Sequence, residues 1–139
     1  MTRILIMGLP GSGKTTLAKQ LHSRIDCKWY NADEMRKLEN NWDFSMKGRI
    51  LQANKMKTLA ENAVSAGFKY VICDFVAPTE EIRHIFNADI TIWMNTIKES
   101  RYTDTNRIFQ KPKNVDYIIS DFNYNIESVL EHISNKIKP

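Results

Sequence analysis

The sequence predicts an α/β fold in which a mostly parallel sheet of five strands lies between two layers of helices. Short apolar runs of strand type alternate along the chain with segments whose apolar residues recur at helical spacing. This alternation favours parallel strands, because each helix crosses from one strand to the next. The 139 residues, of which 42% are hydrophobic and 26% charged, suffice for one three-layer domain, and we expect residues 1–139 to form it.

The first predicted strand leads into a glycine-rich loop. Residues 3–7 form a short apolar run, residues 8–15 read GLPGSGKT, and Leu17, Ala18 and Leu21 follow at helical spacing. The loop matches the pattern Gly-x-x-x-x-Gly-Lys-Ser/Thr in full, between the strand and the helix that this pattern requires. Backbone N–H groups of such a loop close around phosphate oxygens at the helix N-terminus. We therefore predict the P-loop NTPase fold.

The residues of this loop are expected to bind the phosphates of ATP. Lys14 is expected to reach the β- and γ-phosphates, and the hydroxyl of Thr15 to bind Mg²⁺. The alternative, a glycine-rich turn without a ligand, is disfavoured by the flanking strand and helix. The predicted phosphate-binding residues are Gly8, Leu9, Pro10, Gly11, Ser12, Gly13, Lys14, Thr15 and Thr16.

The remaining elements continue the alternation. Further strands are predicted at residues 27–30, 70–75, 90–94 and 115–119. Helices are predicted over about 33–39, 46–66 and 126–137, with a short one opened by Pro78. Ligands of parallel α/β sheets bind at the carboxyl ends of the strands. The candidate site residues are therefore the glycine loop, Asp33, residues 74–78 and the chain from Asn95 onward.

Composition limits the class of protein. No apolar run approaches the roughly 20 residues that a membrane span needs, and we expect a cytoplasmic protein without a membrane partner. Cys27 and Cys73 lie in predicted strands without zinc-type spacing, which indicates buried thiols. The net charge of +4 suits phosphate- or sulfate-bearing substrates. The basic residues are scattered, which disfavours nucleic acid as a partner, and the chain is expected to be a monomer or homodimer.

The signatures of a GTPase switch are missing. The tripeptide at 54–56 reads NKM, but Lys57 follows it and the segment lies within a predicted helix. After the third strand, residues 74–77 read DFVA, without the glycine of a switch motif. A small-molecule kinase needs instead a base beside the acceptor hydroxyl, Mg²⁺, and arginines that neutralise the transferred phosphoryl group. Residues of these types follow the predicted strands.

Several short motifs point to one kinase family. Residues 31–36 read NADEMR, residues 43–49 read DFSMKGR, residues 74–78 read DFVAP before Arg83, and residues 99–101 read ESR. They resemble motifs of the adenylylsulfate kinases, which phosphorylate the 3′-hydroxyl of adenosine 5′-phosphosulfate. The corresponding forms in that family are Asp-Gly-Asp-Asn-x-Arg, Gly-Phe-Ser-x-x-Asp-Arg, Phe-Ile-Ser-Pro with a following arginine, and Glu-x-Arg. The resemblance spans about residues 3–101 and implies ATP with Mg²⁺.

The resemblance implies roles for the matching residues. Asp33 falls where the family keeps a carboxylate near the acceptor hydroxyl and Mg²⁺, a position suited to a general base, although an aspartate there would serve equally as a helix N-cap. Arg36 and Arg49 would clamp the anionic group of the acceptor, and Phe44 would stack on its base. The implied acceptor-binding residues are Asp33, Arg36, Phe44, Arg49, Gln52 and Phe75.

Catalysis is expected from a small set of charged residues. Asp74 could hold Mg²⁺ through water or could itself be the base, and Arg101, at the start of the lid, would contact ATP and stabilise the transferred charge. Arg107 and Lys111 are weaker candidates for that charge. The predicted catalytic residues are Lys14, Asp33, Asp74 and Arg101, and the predicted metal-binding residues are Thr15 and Asp33.

The departures from the family motifs leave the acceptor open. Gly48 replaces an aspartate, Gln52 an asparagine, Asn54 an arginine and Ala77 a serine, while Asp74 stands where a small uncharged residue is usual. The long lid of the family is missing, and a short lid around 98–113 takes its place, in which Phe109 could substitute for the missing lid aromatic. The acceptor is expected to be adenosine 5′-phosphosulfate, or alternatively another nucleotide, a sugar or a polyol. A nucleotide-binding regulatory module is the remaining alternative, and acceptor-side carboxylates argue against it.

Overall fold

The computed structural model describes residues 2–137 of the chain. Its strands are β1 (Thr2–Met7), β2 (Cys27–Asn31), β3 (Tyr70–Asp74), β4 (Ile90–Met94) and β5 (Tyr117–Ile119). Its helices are α1 (Lys14–His22), α2 (Ala32–Glu39), α3 (Met46–Ser65), α4 (Glu80–Phe86), α5 (Thr103–Ile108) and α6 (Ile126–Ile137). None of the helices within residues 2–137 is long and apolar enough to cross a membrane.

The five strands form one sheet with the order β2-β3-β1-β4-β5. All four strand pairs are parallel, so every strand ends at the same edge of the sheet. In the register of the central strands, Ile6 lies opposite Asp74, and Asp74 lies opposite Asn31 on the other side. The carboxyl ends of β1, β2 and β3 are therefore neighbours, which is where a ligand of such a sheet binds.

Helices cover both faces of the sheet, because successive side chains of a strand point to opposite sides. On one face, Leu5 and Met7 of β1 pack with apolar residues of α3 and α4 such as Met56 and Phe86. On the other face, Ile4 and Ile6 pack with residues of α1 and α6. The predicted α/β sandwich of the P-loop NTPase type is confirmed.

Most predicted elements are present, with differences at the less regular segments. The strand predicted at 115–119 is shorter, because Val115 packs against the core and Asp116 binds Thr91 through its backbone and side chain. The short lid contains a helix, α5, that the sequence pattern does not predict. Cys27 and Cys73 are buried free thiols, as the sequence predicts.

Candidate active site

An open cleft of about 1720 Å³ lies at the carboxyl ends of the central strands. Its walls are the glycine loop, the start of α2, the segment before α3, residues 74–78, part of the lid and residues 122–124. Sites for one small molecule have volumes of about 300–1,000 Å³. The cleft therefore has room for two ligands side by side.

The glycine loop forms the floor of the cleft. Gly8 and Gly13 have φ angles of 150° and 98°, which other residues rarely adopt, and a Cβ atom on Gly8 would lie 2.7 Å from the carbonyl oxygen of Met94. The loop residues that line the cleft are Pro10, Gly11, Gly13, Lys14, Thr15 and Thr16. The other predicted loop residues, Gly8, Leu9 and Ser12, are buried.

Lys14 is held inside this loop. Its Nζ donates a hydrogen bond of 3.0 Å to the carbonyl oxygen of Leu9. Burial lowers the pKa of Lys14 to about 8, and the charges of Asp74 and Asp33 act in the opposite direction. The ammonium group thus lies against the loop and feels the charge of two carboxylates, and a phosphate chain in the cleft would add further negative charge.

Asp74 is the buried carboxylate of the site, with only 2% of its surface exposed. Its Oδ2 accepts a hydrogen bond of 2.6 Å from Nε1 of Trp29, and its Oδ1 accepts one of 2.8 Å from Nδ2 of Asn31. The hydroxyl of Thr15 lies 3.4 Å from the same Oδ1. Burial raises the pKa of Asp74 above its ordinary value and the charge of Asp33 adds to this, while the hydrogen bonds from Trp29 and Asn31 and the charge of Lys14 act in the opposite direction.

Asp33 lies at the second position of α2 and lines the cleft with an exposed side chain. The N-cap of this helix is Asn31, whose side chain accepts a hydrogen bond from the backbone N–H of Glu34. The N-cap interpretation of Asp33 is therefore wrong, and its carboxylate is left to face the cleft. Burial lowers the pKa of Arg36, and the charge of Asp33 acts in the opposite direction.

At the other end of the cleft, two buried arginines surround an exposed aromatic ring. The guanidinium carbons of Arg36 and Arg49 lie 4.2 and 5.4 Å from the ring centroid of Phe44, which is 48% exposed. Arg36 donates to the carbonyl oxygens of Asn41 and Asp43. Arg49 donates through Nε to the carbonyl oxygen of Phe44. Each arginine thus fixes residues 41–45, the Phe44 segment, which precedes α3.

Arg49 also reaches the lid. Its Nη2 donates a hydrogen bond of 2.9 Å to the hydroxyl of Thr105 in α5, and both residues are buried. This bond joins the lid to the Phe44 segment. α5 has no side-chain cap at its N-terminus, so contacts of this kind hold it in place.

Two further predicted acceptor residues lie deeper. Nε2 of Gln52 is 3.4 Å from the carbonyl oxygen of Ala32, so this buried side chain supports the start of α2 behind the cleft wall. Phe75 lines the cleft and packs edge-on against Phe86 of the core, with 5.5 Å between the ring centroids. Phe75 therefore reaches the cleft, whereas Gln52 lies behind its wall.

The lid carries Arg101 and leaves Phe109 outside the cleft. Arg101 is exposed, lines the cleft and donates a hydrogen bond of 2.8 Å to the hydroxyl of Tyr102. Phe109 instead stacks on Trp93 and lies under Arg83, packed against the core. Tyr102 is thus the lid aromatic that faces the cleft.

The oxygen groups around the floor of the cleft fit a magnesium ion that arrives with a nucleotide. Thr15, Asp33 and Asp74 supply a hydroxyl and two carboxylates there. Across the described part of the chain, no group of three or more His, Cys, Asp or Glu side chains is arranged to hold a metal. Mg²⁺ in phosphoryl-transfer sites needs no such cage, because it keeps several waters and binds one or two carboxylates plus substrate phosphates.

Fold and loop together define a P-loop nucleotide-binding domain. A family model described as adenylylsulphate kinase matches residues 1–120, and the chain belongs to that family. It is a P-loop kinase, a phosphotransferase of a family that uses ATP.

Solved structures of similar fold include kinases with different acceptors. An APS kinase of Mycobacterium tuberculosis, in complex with AMPPNP and APS, is 18% identical with a TM-score of 0.72, over 99% of this chain and 98% of that one. A sugar kinase from Janibacter sp. is 15% identical with a TM-score of 0.73, over 99% and 94%. A shikimate kinase from Acinetobacter baumannii, in complex with shikimate, is 20% identical with a TM-score of 0.61, over 99% and 96%. At these identities the likeness is one of fold.

Proposed function

We propose that this kinase transfers the γ-phosphoryl group of ATP, bound with Mg²⁺, to a hydroxyl of a small anionic acceptor, and that this acceptor is adenosine 5′-phosphosulfate. One observation carries the proposal: two buried arginines lie against the exposed ring of Phe44, in the same cleft whose floor is the glycine loop. An aromatic ring beside two fixed cations suits a nucleotide with an anionic 5′ group. Membership of the adenylylsulphate kinase family supports the same acceptor.

In the proposed reaction, the loop backbone and Lys14 hold the phosphates of ATP, and Thr15 and Asp74 lie on the metal side of the nucleotide. Thr15 and Asp74 would hold Mg²⁺ there, and the ion would supply positive charge to the phosphates of ATP. Arg101 is proposed to leave Tyr102 and to stabilise charge on the moving phosphoryl group. Arg101 would make this movement by rotation about its side-chain bonds, and the backbone of the lid need not move.

Asp33 is the proposed base. Its exposed carboxylate faces the cleft between the loop and the Phe44 segment, whereas both oxygens of Asp74 already accept hydrogen bonds. As the acceptor oxygen bonds to the γ-phosphorus, its proton passes to the carboxylate of Asp33 and ADP leaves. We therefore assign Asp74 to the metal side and Asp33 to the acceptor hydroxyl.

A second acceptor class, a sugar or polyol with an anionic group, is favoured by the lid. Phe109 packs in the core, so it does not close over an acceptor base as the lid aromatic of the family does. Tyr102, the lid aromatic that does face the cleft, has its hydroxyl bound to Arg101, and a small polar alcohol would need no second aromatic ring. A cytoplasmic location and a monomeric or homodimeric state remain predictions.

The test is a panel of acceptors incubated with γ-labelled ATP. We expect label in adenosine 5′-phosphosulfate, and Arg49→Ala should raise the KM for that acceptor by about tenfold or more, because a hydrogen bond to a charged group contributes about 1.5–3 kcal/mol. Arg36→Ala should act in the same direction, and neither should change the KM for ATP. The matched control is Arg24→Ala, which removes an exposed arginine paired with Glu127 outside the cleft.

Other outcomes of this panel are informative. Saturable transfer to adenosine 5′-phosphosulfate that survives loss of both Arg36 and Arg49 would contradict the arginine clamp. Transfer only to a sugar or polyol, still dependent on both arginines, would retain the kinase and replace the acceptor.

A further inference from the structure

The carboxylate pattern of this chain differs from the motif it resembles at two positions that face each other. The motif has aspartate at the position of Asn31, and the family usually has a small uncharged residue at the position of Asp74. This chain has the amide at 31 and the carboxylate at 74. Asn31 and Asp74 are register partners in the pairing of β2 with β3, and their side chains are hydrogen-bonded.

Two side chains of β2 fix the orientation of the Asp74 carboxylate. The indole N–H of Trp29 binds Oδ2 at 2.6 Å, and the amide of Asn31 binds Oδ1 at 2.8 Å. The same amide lies 3.1 Å from the hydroxyl of Thr15. Oδ1 is therefore held on the side of Thr15, and rotation of the carboxylate would break both bonds.

A buried carboxylate needs such partners. An ionised group removed from water costs several kcal/mol unless hydrogen bonds or opposite charges compensate it. An indole N–H can only donate, so Trp29 binds the carboxylate without accepting its proton. Trp29 and Asn31 thus stabilise the charged form of Asp74 beside the glycine loop.

We propose that Asp74 supplies, at this edge of the sheet, the negative charge that the resembled motif has at the position of Asn31, and that Trp29 and Asn31 are positioning residues that hold its Oδ1 toward Thr15 and the metal side of the nucleotide. The proposal rests on the proposed use of ATP with Mg²⁺ and is independent of which acceptor is used.

The first experiment compares ATP binding with and without the metal by calorimetry, in the absence of any acceptor. Trp29→Phe keeps an aromatic ring and removes the N–H donor. We expect it to reduce the gain in ATP affinity that Mg²⁺ brings by about tenfold, the size expected for one hydrogen bond to a charged group. Its ATP affinity in EDTA should stay unchanged. Trp93→Phe, the same change in β4 where the ring stacks on Phe109, is the control and should leave both affinities unchanged.

The second experiment exchanges the two groups. Asp74→Asn alone should reduce the gain in ATP affinity that Mg²⁺ brings by about tenfold or more. Asn31→Asp alone should lower the melting temperature, because two carboxylates would face each other. In the double variant Asn31→Asp/Asp74→Asn, the hydrogen bond is retained with donor and acceptor exchanged, and aspartate at 31 still caps α2. We expect the double variant to recover most of the metal effect.

Two results would overturn the proposal. One is a metal effect in Trp29→Phe equal to that in Trp93→Phe, and the other is a double variant no better than Asp74→Asn. Should Trp29→Phe not fold, the exchange decides by itself. These binding experiments contain no acceptor, so a negative result in them does not affect the proposed acceptor. A panel in which no acceptor is phosphorylated likewise does not affect the conclusion about Trp29 and Asn31.

Discussion

At the scale of the residue, Lys14 links burial to the binding of phosphate. Burial lowers its pKa to about 8, so Lys14 is mostly neutral in the free protein above that pH. The phosphates of ATP favour the charged form, because an opposite charge nearby raises the pKa of an amine. ATP binding should therefore take up a proton, and the uptake should increase as the pH rises through 8.

Calorimetry in two buffers of different ionisation enthalpy measures this uptake. Lys14→Met, which has no titratable group at this position, should show none beyond the background of ATP itself. If wild type and variant took up equal numbers of protons at every pH, the lysine would not be the group that responds to phosphate. Lys14→Ala should also lower kcat by at least about 100-fold, comparable to loss of one electrostatic donor at a reacting centre.

Asp33 and Asp74 should separate in a binding and turnover experiment. Asp33→Asn is expected to lower the transfer rate by about 10²–10⁴-fold, the size of general-base effects, while the Kd for ATP stays nearly unchanged. Rapid-quench transfer rates and ATP titrations on both variants provide the measurement. If Asp74→Asn were inactive with normal ATP binding and Asp33→Asn were active, the two roles would be reversed.

Residues of the site differ in how far the sequence reveals them. The glycine loop is predicted in full because its pattern is local and its flanks are a strand and a helix. Trp29 is missed because its contact with Asp74 depends on the register of β2 against β3, which no local pattern contains. A polar or aromatic side chain within two residues of a strand's carboxyl end is the signal that could have found it.

At the scale of the element, Asp43 of the Phe44 segment packs directly against the first turn of α3, because position 48 is glycine. A Cβ atom there would lie 2.5 Å from Cγ of Asp43 and closer still to its carbonyl oxygen. This close approach brings the carbonyl oxygens of Asp43 and Phe44 to Arg36 and Arg49.

Gly48→Ala should therefore destabilise the protein although alanine favours helix. We expect a net loss of about 1–3 kcal/mol, the usual cost of overpacking, together with a raised KM for the acceptor because the Phe44 segment must move. Urea unfolding and steady-state kinetics are the measurements. Lys47→Ala, an exposed neighbour in the same turn, is the control and should change stability by less than about 0.5 kcal/mol. A variant more stable than wild type would show that the segment adapts freely.

Elements with strong local signals are predicted well, and those held by tertiary contacts are not. The helix predicted over about 46–66 is found as Met46–Ser65, and Gly67 follows it with a φ of 92°. α5 escapes prediction because it is six residues long and depends on the bond between Arg49 and Thr105. The strand predicted at 115–119 is shortened to Tyr117–Ile119, because Val115 packs against the core and the side chain of Asp116 binds the backbone of Thr91.

At the scale of the whole molecule, the order of the strands determines which side chains can meet. Alternating strands and helices predict a parallel sheet, but not that β3 lies between β1 and β2. That order brings the carboxyl ends of β1, β2 and β3 together, and with them the glycine loop, Asn31 and Asp74. The composition of the cleft follows from topology, which the spacing of motifs along the chain does not reveal.

The most direct test of a two-substrate cleft is the dependence of ADP formation on the acceptor. Wild-type protein is incubated with ATP and Mg²⁺, with and without adenosine 5′-phosphosulfate, and phosphorus NMR follows ADP and the new phosphate monoester. We predict that both products appear in equal amounts only when the acceptor is present, and that Asp33→Asn suppresses both. The contrary result is tight binding of ATP with slow ADP formation that no anionic alcohol of the panel accelerates. That result would contradict phosphoryl transfer and would indicate a nucleotide-binding module without transferase activity.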